Sequence, residues 1–351
     1  MKGLFKLLAG NLKSLAGLCI LAMFVLAAIF APHITTHDPE KGTGNPHEYP
    51  AFVVKAAQNN PDGWIATTLA TNKRTLMMSE KAEHVLGTSR MGRDIWSQLV
   101  YGARTSISVG LGAGLMVCFL ATAIGVSAGY FGGKVDDYLS AAMNIMLVVP
   151  QLPLLFIIAA FIGQAGPMTI AIVIAITSWA WGARVVRAQT LSVREKEFVR
   201  AAEVLGESPF RIIAVEILPN LMSILGASFI GCVMLAIMTE ASLSFLGLGD
   251  PNSISWGVML YNVQTSSSML VGAWWEILPP CLALTFIAIG LSLLNFAVDE
   301  IANPQLRSHK GMRRWTARNK MAKSAATQGE TAPQHVLEEG RNNDKPSNFH
   351  S

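Results

Sequence analysis

Thiols, imidazoles and carboxylates are the side chains that could perform covalent catalysis or bind a metal ion. Zinc sites and disulfide frameworks need clustered ligands, whereas the four cysteines stand singly in apolar stretches and the seven histidines show no ligand spacing. We therefore predict no catalytic residue, no metal site and no cofactor, and we interpret the cysteines as packing residues. These are Cys19, Cys118, Cys232 and Cys281. The histidines that precede the C-terminal tail are His33, His37, His47 and His84.

One carboxylate stands at the end of a long uncharged stretch. Glu240 follows 19 residues without charge, counted from Leu221. In a helix, this spacing places the side chain close to the end of an apolar span. There it could anchor the helix through hydrogen bonds, or it could line a solute pathway or gate with Ser242 and Ser244. Both alternatives remain open from the sequence.

The densest charged region between apolar stretches runs from Arg184 to Pro219, with six basic and five acidic residues. We call this segment the elbow (residues 184–219). Ser192 and Glu195 have capping-box spacing, which predicts a helix that starts at Val193. The elbow is the part of the sequence in which charge and helical signals are most organised.

The predicted elbow helix carries a small apolar face. Phe198, Ala201, Ala202 and Leu205 share that face at helical spacing, and Gly206 can end the helix with a positive φ. Ser208 followed by proline predicts a second short helix that ends near Pro219. We interpret the elbow as a docking site for another protein. The alternative is a solvated loop at the membrane surface.

The composition indicates which elements position these residues. Of the 351 residues, 51% are hydrophobic and 14% are charged, and the mean hydropathy is +0.40. Soluble domains carry about 25% charged residues, so a soluble enzyme is excluded. Because a bilayer core needs roughly 20 apolar residues in a helix, we predict an all-α polytopic membrane protein with six transmembrane helices. They lie in the uncharged runs 14–37, 105–133, 138–183 (two helices divided at 163–167), 217–239 and 277–298.

The first apolar run has two interpretations. Lys2, Lys6 and Lys13 precede it, as in the basic region of a secretory signal peptide. Signal peptides have an apolar core of about 7–15 residues and a small-x-small cleavage site, whereas this run is longer and ends at Ala31–Pro32. We therefore expect a retained membrane anchor.

Lysine and arginine positions predict the orientation. With a cytoplasmic N-terminus, the two short outer connections, 163–167 and 246–273, contain no lysine or arginine, whereas every cytoplasmic segment contains at least one. We therefore predict that both termini are cytoplasmic. The predicted parts are the N-terminus with the first helix (1–32), the outer segment (33–104), a five-helix core that includes the elbow (105–298), and a basic, partly disordered tail (299–351).

Two segments outside the core have surface interpretations. Residues 33–85 of the outer segment could help to dock a binding protein, or they could form an extended surface loop without a docking role. In the tail, basic residues such as Lys310, Arg313 and Arg314 are expected to lie against anionic lipid headgroups. No nucleic-acid partner is expected.

Four motifs, in the same order along the chain, resemble those of one transporter family. Arg200–Gly206 and Ile217–Asn220 resemble the cytoplasmic EAA loop of permease subunits in ABC importers. Within that class, Gly87–Asp94, Glu240–Gly249 and Ser255–Gly257 resemble segments of the dipeptide/oligopeptide/nickel permease family. The resemblance covers roughly residues 84–307.

The resemblance implies a type I ABC importer permease fold in a prokaryotic inner membrane. It implies that a second, similar permease pairs with this chain, that two cytoplasmic ATPases drive the pair, and that an extracytoplasmic binding protein delivers peptides. It further implies that an ATPase contacts the elbow. The residues implied in this contact are Arg200, Ala201, Ala202, Glu203, Leu205, Gly206, Glu207 and Pro219.

Three positions differ from the family pattern. Ser89 stands where the family has aspartate, Arg200 replaces the acidic first residue of the EAA loop, and Asn295–Phe296 replaces a Gly-Asp pair. Glu203 is one helical turn from Arg200, so a carboxylate can still reach the same neighbourhood. These differences suggest a subgroup, to which we transfer no substrate from the best-known members.

Other functions are less compatible with the sequence. The chain lacks a G-x-x-x-x-G-K-[ST] phosphate loop, so we expect ATP hydrolysis on partner subunits and no enzymatic activity here. An ion-coupled carrier usually needs ionisable groups within its spans, and a membrane hydrolase needs a nucleophile and a base in one site. Neither pattern is present in the predicted spans. Oligosaccharides remain the rival substrate class.

Overall fold

The computed structural model describes residues 12–60, 63, 83–163 and 166–302. These residues form helices and connecting loops, and their only β-type contacts are two isolated bridges. The α-helices are α1 (Leu12–Ile29), α2 (Ala31–Ile34), α3 (Ala51–Asn59), α4 (Ile95–Phe131), α5 (Gly133–Val148), α6 (Gln151–Ile162), α7 (Pro167–Arg194), α8 (Glu197–Val204), α9 (Pro209–Arg211), α10 (Leu218–Phe245), α11 (Trp256–Thr265) and α12 (Leu278–Ala302). A π-helical turn (Ile212–Ile217) joins α9 to α10, and a 3-10 turn (Trp274–Glu276) precedes α12.

The chain divides into two compact units, 1–299 and 300–351. The first contains almost all of the described residues, and the second is described only at 300–302, which end α12. The predictions for Lys2 and Lys6, and for the lipid-binding and disordered parts of the tail, concern residues that lie outside the described ranges.

The long helices confirm the positions of the predicted apolar runs. Four stretches are long and apolar enough to cross a bilayer, namely Ile95–Phe131, Pro167–Arg194, Pro209–Phe245 and Trp274–Val298. The N-terminal run forms a shorter apolar helix, Ser14–Ile29, and α5 and α6 together account for one further span only as a bent pair. The all-α membrane fold is thus confirmed, but the count of six complete spans is not.

A proline explains the bend in the third predicted span. Helices α5 and α6 meet at an angle of 86°, so the prediction of one continuous helix up to Gly163 is wrong. Val149 has an extended backbone, because a following proline disfavours the helical conformation. The second predicted break is confirmed, since Gly163 has a φ of +79° and α7 begins at Pro167.

Helix α4 lies at the centre of the bundle and packs along α7 and α10. Two of its glycines lie where the neighbouring helices approach closely. A Cβ atom on Gly114 would lie 2.6 Å from Val233 Cγ2 on α10, and one on Gly125 would lie 2.6 Å from the Ala183 carbonyl oxygen on α7. Small residues allow membrane helices to approach closely, so these positions set the spacing of the three central helices.

The two ends of α4 contact different parts of the chain. Near its start, Ile95 belongs to a buried apolar cluster with Trp256 and Trp275. Near its end, Val126 and Tyr130 pack against the elbow. A helix of 37 residues is about 55 Å long. The outer segment and the elbow therefore lie at opposite ends of the bundle.

Candidate functional site

After the end of α7, the elbow contains two helical segments joined at Gly206, and the first of them starts later than predicted. Helix α7 continues to Arg194, so the predicted helix start at Val193 is wrong. The elbow helix α8 begins instead after Lys196, whose backbone is extended. Extending an existing helix is easier than nucleating a new one, and the hydrogen-bond ladder of α7 therefore continues through the capping signal.

Gly206 ends α8, as predicted. Its φ is +77°, a conformation that glycine adopts without strain. The Gly206 N–H donates to the Glu203 carbonyl oxygen at 3.0 Å, and the Glu207 N–H donates to the Ala202 carbonyl oxygen at 3.2 Å. These two bonds form a Schellman motif, which satisfies carbonyl groups at the helix end.

The second half of the elbow is longer than predicted. It starts at Ser208 and Pro209, as expected. The prediction that it ends near Pro219 is wrong, because it continues through the π-helical turn into α10 and forms one stretch from Pro209 to Phe245. Pro219 lies in the first turn of α10, where proline is tolerated. The elbow therefore begins with the last turns of α7, and its second half runs without a break into α10.

One face of the elbow is packed against the bundle. Val199, Ile212 and Ile217 are fully buried, in a cluster with Val126 of α4 and Val186 of α7. Burial of such side chains stabilises a fold by about 1.5–3 kcal/mol each. This packing fixes the elbow to α4 and α7 and disfavours the alternative of a freely solvated loop.

The elbow tip (residues 204–210) is apolar and uncovered. Val204 is 88% exposed, and Leu205 and Phe210 are each 81% exposed. A Cβ atom on Gly206 would have no other atom within 4 Å. Contiguous exposed apolar side chains mark interaction surfaces, and the open space at Gly206 would let a second chain approach closely.

The predicted coupling residues are divided between the two faces of the elbow. Ala202 is half-buried and packs towards the bundle, and Glu207 is half-buried and paired with Arg211 at 3.2 Å. Arg200 forms an ion pair with Glu195, so the position that departs from the EAA pattern is neutralised locally. The remaining predicted residues are exposed, namely Ala201, Glu203, Leu205, Gly206 and Pro219.

An ion pair within the bundle supports the base of the elbow, and it has no signal in the sequence. Arg187 on α7 binds both carboxylate oxygens of Asp136 on α5. The Ser140 hydroxyl donates to the same carboxylate at 2.9 Å. Two-point contacts between arginine and a carboxylate are among the stronger ion pairs. The contact links α5 to the last turns of α7, with which the elbow begins.

At the opposite end of the bundle, Glu240 lies in a buried polar cluster. The Ser106 hydroxyl of α4 donates to Glu240 Oε2 at 3.2 Å, and the Ser244 hydroxyl donates to Oε1 at 2.9 Å. Ser106 Oγ also accepts a hydrogen bond from the Trp256 backbone N–H at 3.3 Å. The carboxylate, which is 2% exposed, thus connects α4, α10 and the start of α11.

The two serines predicted with Glu240 have different surroundings. Ser244 is buried within the cluster, whereas Ser242 is exposed and donates to the Met238 carbonyl oxygen of its own helix. Gly249 and Gly257 pack closely on Ser244, since a Cβ atom on either would lie within 2.7 Å of that side chain. The loop after α10 therefore folds back onto α10, and the geometry favours the hydrogen-bonding alternative for Glu240.

The Gly87–Asp94 motif fastens the outer segment to α4. Gly87 has a φ of +77°, and a Cβ atom there would lie 2.3 Å from the Glu48 carbonyl oxygen. The buried Thr88 hydroxyl donates to the Asn45 carbonyl oxygen and accepts from the Glu48 N–H. Asp94 caps α4 by accepting from the Ser97 N–H at 2.9 Å.

The outer segment is also joined to the 3-10 turn before α12. Trp275 is buried, and its indole N–H donates to the Thr88 carbonyl oxygen at 3.3 Å. His47 Nδ1 lies 2.6 Å from Glu276 Oε1, and the Ser268 hydroxyl donates to Glu276 Oε2 at 2.9 Å. These contacts tie the outer segment to the turn before α12 within the chain itself.

Sequence reasoning did not identify several of these side chains. Glu276 was recognisable as an isolated acid next to an apolar run, which is the same signal that identifies Glu240. His47 gives no local signal, because its partner is 229 residues away. The histidines have no ligand spacing along the sequence. The fold nevertheless brings His37 and His84 together, with ring centroids 4.9 Å apart.

Comparison with known proteins agrees with this architecture. Residues 121–308 match the family described as binding-protein-dependent transport system inner membrane component. Residues 10–54 match the N-terminal transmembrane domain of oligopeptide transport permease C. The two matches together cover both the N-terminal helix and the helical core that holds the elbow and Glu240.

Individual relatives match over most of their length. The dipeptide transport system permease protein DppC of Alkalihalophilus pseudofirmus is 32% identical over 306 residues, which cover 87% of this chain and 90% of the relative. The oligopeptide transport system permease protein OppC of Bacillus subtilis is 28% identical over 298 residues, which cover 85% and 87%. The chain therefore belongs to the family of binding-protein-dependent transport system inner membrane components.

Proposed function

We propose that this chain is one permease subunit of an ATP-driven importer, that it forms half of a translocation pathway for peptides, and that the elbow tip receives an ATPase subunit. The observation that carries this proposal is the contrast within the elbow. Val199 and Ile212 are fully buried against the bundle, whereas Leu205 and Phe210 are more than four-fifths exposed. Such an element is held rigidly and still offers an uncovered apolar surface.

The remaining subunits follow from the family and from the sequence. The relatives are named as permease proteins of dipeptide and oligopeptide transport systems, and the sequence contains no phosphate loop of its own. We therefore infer a second permease of the same family, two ATPases at the elbow end, and a substrate-binding protein at the end that carries the outer segment. In this orientation both termini and the elbow are cytoplasmic.

Coupling would pass through the buried face of the elbow. A displacement of the tip would move Ile212 and Val199 with it, and their contacts with α4 and α7 would transmit the motion. The Asp136–Arg187 ion pair would carry α5 along with α7. Packed helices move as rigid bodies between discrete arrangements, so the close contacts at Gly114 and Gly125 are the surfaces that would slide.

We infer that Glu240 holds the outer end of α10 to α4 and α11 and does not contact the solute. Its two carboxylate oxygens accept hydrogen bonds from Ser106 and Ser244, and 2% exposure leaves no surface for a passing substrate. In this proposal Glu240 shapes the pathway, and other residues line it. Ser242, which is exposed on the same helix, is the better candidate for a lining residue.

The coupling proposal is tested with two substitutions of Leu205, which is 81% exposed. Leu205→Glu places a charge on the elbow tip, and Leu205→Met is the matched control because methionine keeps an apolar side chain of similar volume at the same position. In an importer reconstituted with its ATPases and binding protein, Leu205→Glu should lower peptide-stimulated ATP hydrolysis at least about tenfold, because charged residues are depleted from interface cores. Normal stimulation by a folded Leu205→Glu protein would overturn the proposal.

The substrate is tested separately, on the partner binding protein. Native mass spectrometry of that protein, isolated from cells that express the importer, should detect bound peptides. Detection of bound oligosaccharides without peptides would replace peptide with the rival substrate class and leave the coupling proposal intact.

A further inference from the structure

Three side chains that are distant in sequence meet at the start of α4. One nitrogen of His37, one nitrogen of His84 and one carboxylate oxygen of Asp94 all lie within 4.8 Å of one another. His84 and Asp94 are buried, and His37 is half-buried. Two imidazoles and a carboxylate in one partly enclosed place form a typical donor set for a divalent transition metal.

Asp94 has an unused oxygen at this place. Its Oδ2 atom accepts hydrogen bonds from the Ser97 N–H at 2.9 Å and from the Ser97 hydroxyl at 2.6 Å. Its Oδ1 atom is buried and has no hydrogen-bond partner among the described residues. A buried carboxylate oxygen without a partner is costly, and a cation would remove that cost.

His84 is oriented as a metal ligand. Its Nδ1 atom lies 2.9 Å from Glu48 Oε2, and Glu48 Oε1 accepts from the Asn45 N–H at 2.8 Å. In the neutral tautomer whose Nδ1–H donates to Glu48, the lone pair lies on Nε2. Carboxylates that orient histidine ligands in this manner are common in metal sites.

His84 Nε2 and His37 Nδ1 each lie within hydrogen-bond distance of a threonine hydroxyl. Thr43 Oγ1 lies 3.1 Å from His84 Nε2, and Thr36 Oγ1 lies 3.0 Å from His37 Nδ1. Both contacts are to hydroxyl groups, which can rotate when an ion binds. A zinc ion with ligand bonds near 2.0–2.2 Å would need the three donor atoms to approach to about 3.3–3.4 Å. Thr43 or a water molecule would supply the fourth ligand.

We propose that His37, His84 and Asp94 bind one divalent transition-metal ion of the Zn²⁺ class, and that this ion fastens the outer segment to the first turn of α4. The nitrogen donors favour Zn²⁺ over Mg²⁺ or Ca²⁺, which prefer oxygen ligands. The ion would join two points of the outer segment to the helix cap. Its role is structural, and it is independent of the transported solute and of the elbow.

The test measures bound metal on the full-length chain purified in detergent. The chain is treated with a chelator, incubated with Zn²⁺ or Co²⁺, and passed through gel filtration before elemental analysis. We expect about one ion per chain. His37→Gln and Asp94→Asn remove one ligand each, and asparagine at residue 94 still caps the helix, so that variant separates ligand loss from cap loss. His33→Gln is the control, because His33 is exposed and outside the cluster.

The outcomes are distinct. The proposal predicts that wild type and His33→Gln retain the ion, that bound Co²⁺ gives a visible absorption spectrum, and that His37→Gln lowers the affinity at least about 100-fold. A thermal shift on Zn²⁺ addition should occur only in the proteins that retain the ion. A folded wild-type chain that retains no metal, or a His37→Gln protein that retains it equally well, would overturn the proposal. Either result would leave the permease function untouched.

Discussion

The elbow tip and the outer end of the bundle differ in how far their side chains are covered by the rest of the chain. At the outer end, Trp275 and Thr88 are buried together, and Glu276 is bonded to His47 and Ser268. At the elbow tip, the large apolar side chains project away from the bundle and contact little of the chain. These polar and aromatic groups of the outer end are therefore bonded within the chain, whereas the large apolar side chains of the elbow tip are uncovered, as the proposed ATPase contact requires.

Two glycines with the same backbone conformation show this difference. Gly87 and Gly206 both have a φ of +77°. A Cβ atom on Gly87 would lie 2.3 Å from a backbone oxygen, whereas one on Gly206 would meet nothing within 4 Å. At the outer end, glycine is needed for conformation and for space. At the elbow, glycine is needed for conformation only, and no other described atom lies beside it.

The largest expected effect is the difference in unfolding free energy between the alanine variants of these two glycines. Gly206→Ala adds only the strain of a left-handed conformation, about 1–2 kcal/mol. Gly87→Ala adds the same strain and a clash with the Glu48 carbonyl oxygen, so we expect a loss of about 3 kcal/mol or more in the free energy of unfolding. Thermal unfolding of both variants in detergent measures the difference. Equal losses would show that the two ends are packed alike.

A smaller effect is expected at Glu240. Glu240→Leu leaves the Ser106 and Ser244 hydroxyls without their acceptor, which should cost about 1–3 kcal/mol. Glu240→Gln keeps an acceptor oxygen and should cost less. Unfolding temperatures and transport rates are measured for both variants. A Glu240→Gln protein with normal stability and altered transport would contradict the hydrogen-bonding role and favour a residue that lines the pathway.

The smallest effect is expected for the ion pair between Arg200 and Glu195. Both side chains are about two-thirds exposed, and exposed pairs contribute about 0–1 kcal/mol. Arg200→Ala should therefore leave the unfolding temperature almost unchanged, because buried apolar residues such as Ile212 hold the elbow. A large loss of stability in Arg200→Ala would show that charge, and not apolar packing, maintains the elbow.

Local signals predicted local structure. The uncharged runs located the long helices because burial in a bilayer requires continuous apolar length. Gly206 was predicted as a helix end because positive φ is a property of a single residue. The bend at Val149–Pro150 had an equally local signal, a proline inside an apolar run. It was missed because the spans were placed only by the length of the uncharged runs.

Features that depend on the rest of the fold could not be predicted in this way. The capping signal at Ser192 was overridden because α7 was already helical before it. The Asp136–Arg187 pair joins residues 51 positions apart, and the His47–Glu276 contact joins residues 229 positions apart. Partners at such distances become visible only when the helices are packed. The same reason hid the His37, His84 and Asp94 cluster.

The most direct test of the elbow as a partner surface is side-chain labelling by hydroxyl radicals. Leu205 and Phe210 are labelled in the isolated chain and in the importer assembled with its ATPases but without the binding protein, with Leu270 as the reference. We predict that labelling of both elbow residues falls at least about fivefold on assembly, since interface cores exclude water, and that Leu270 is unchanged. Equal labelling of Leu205 and Phe210 in the two states would contradict the coupling role of the elbow.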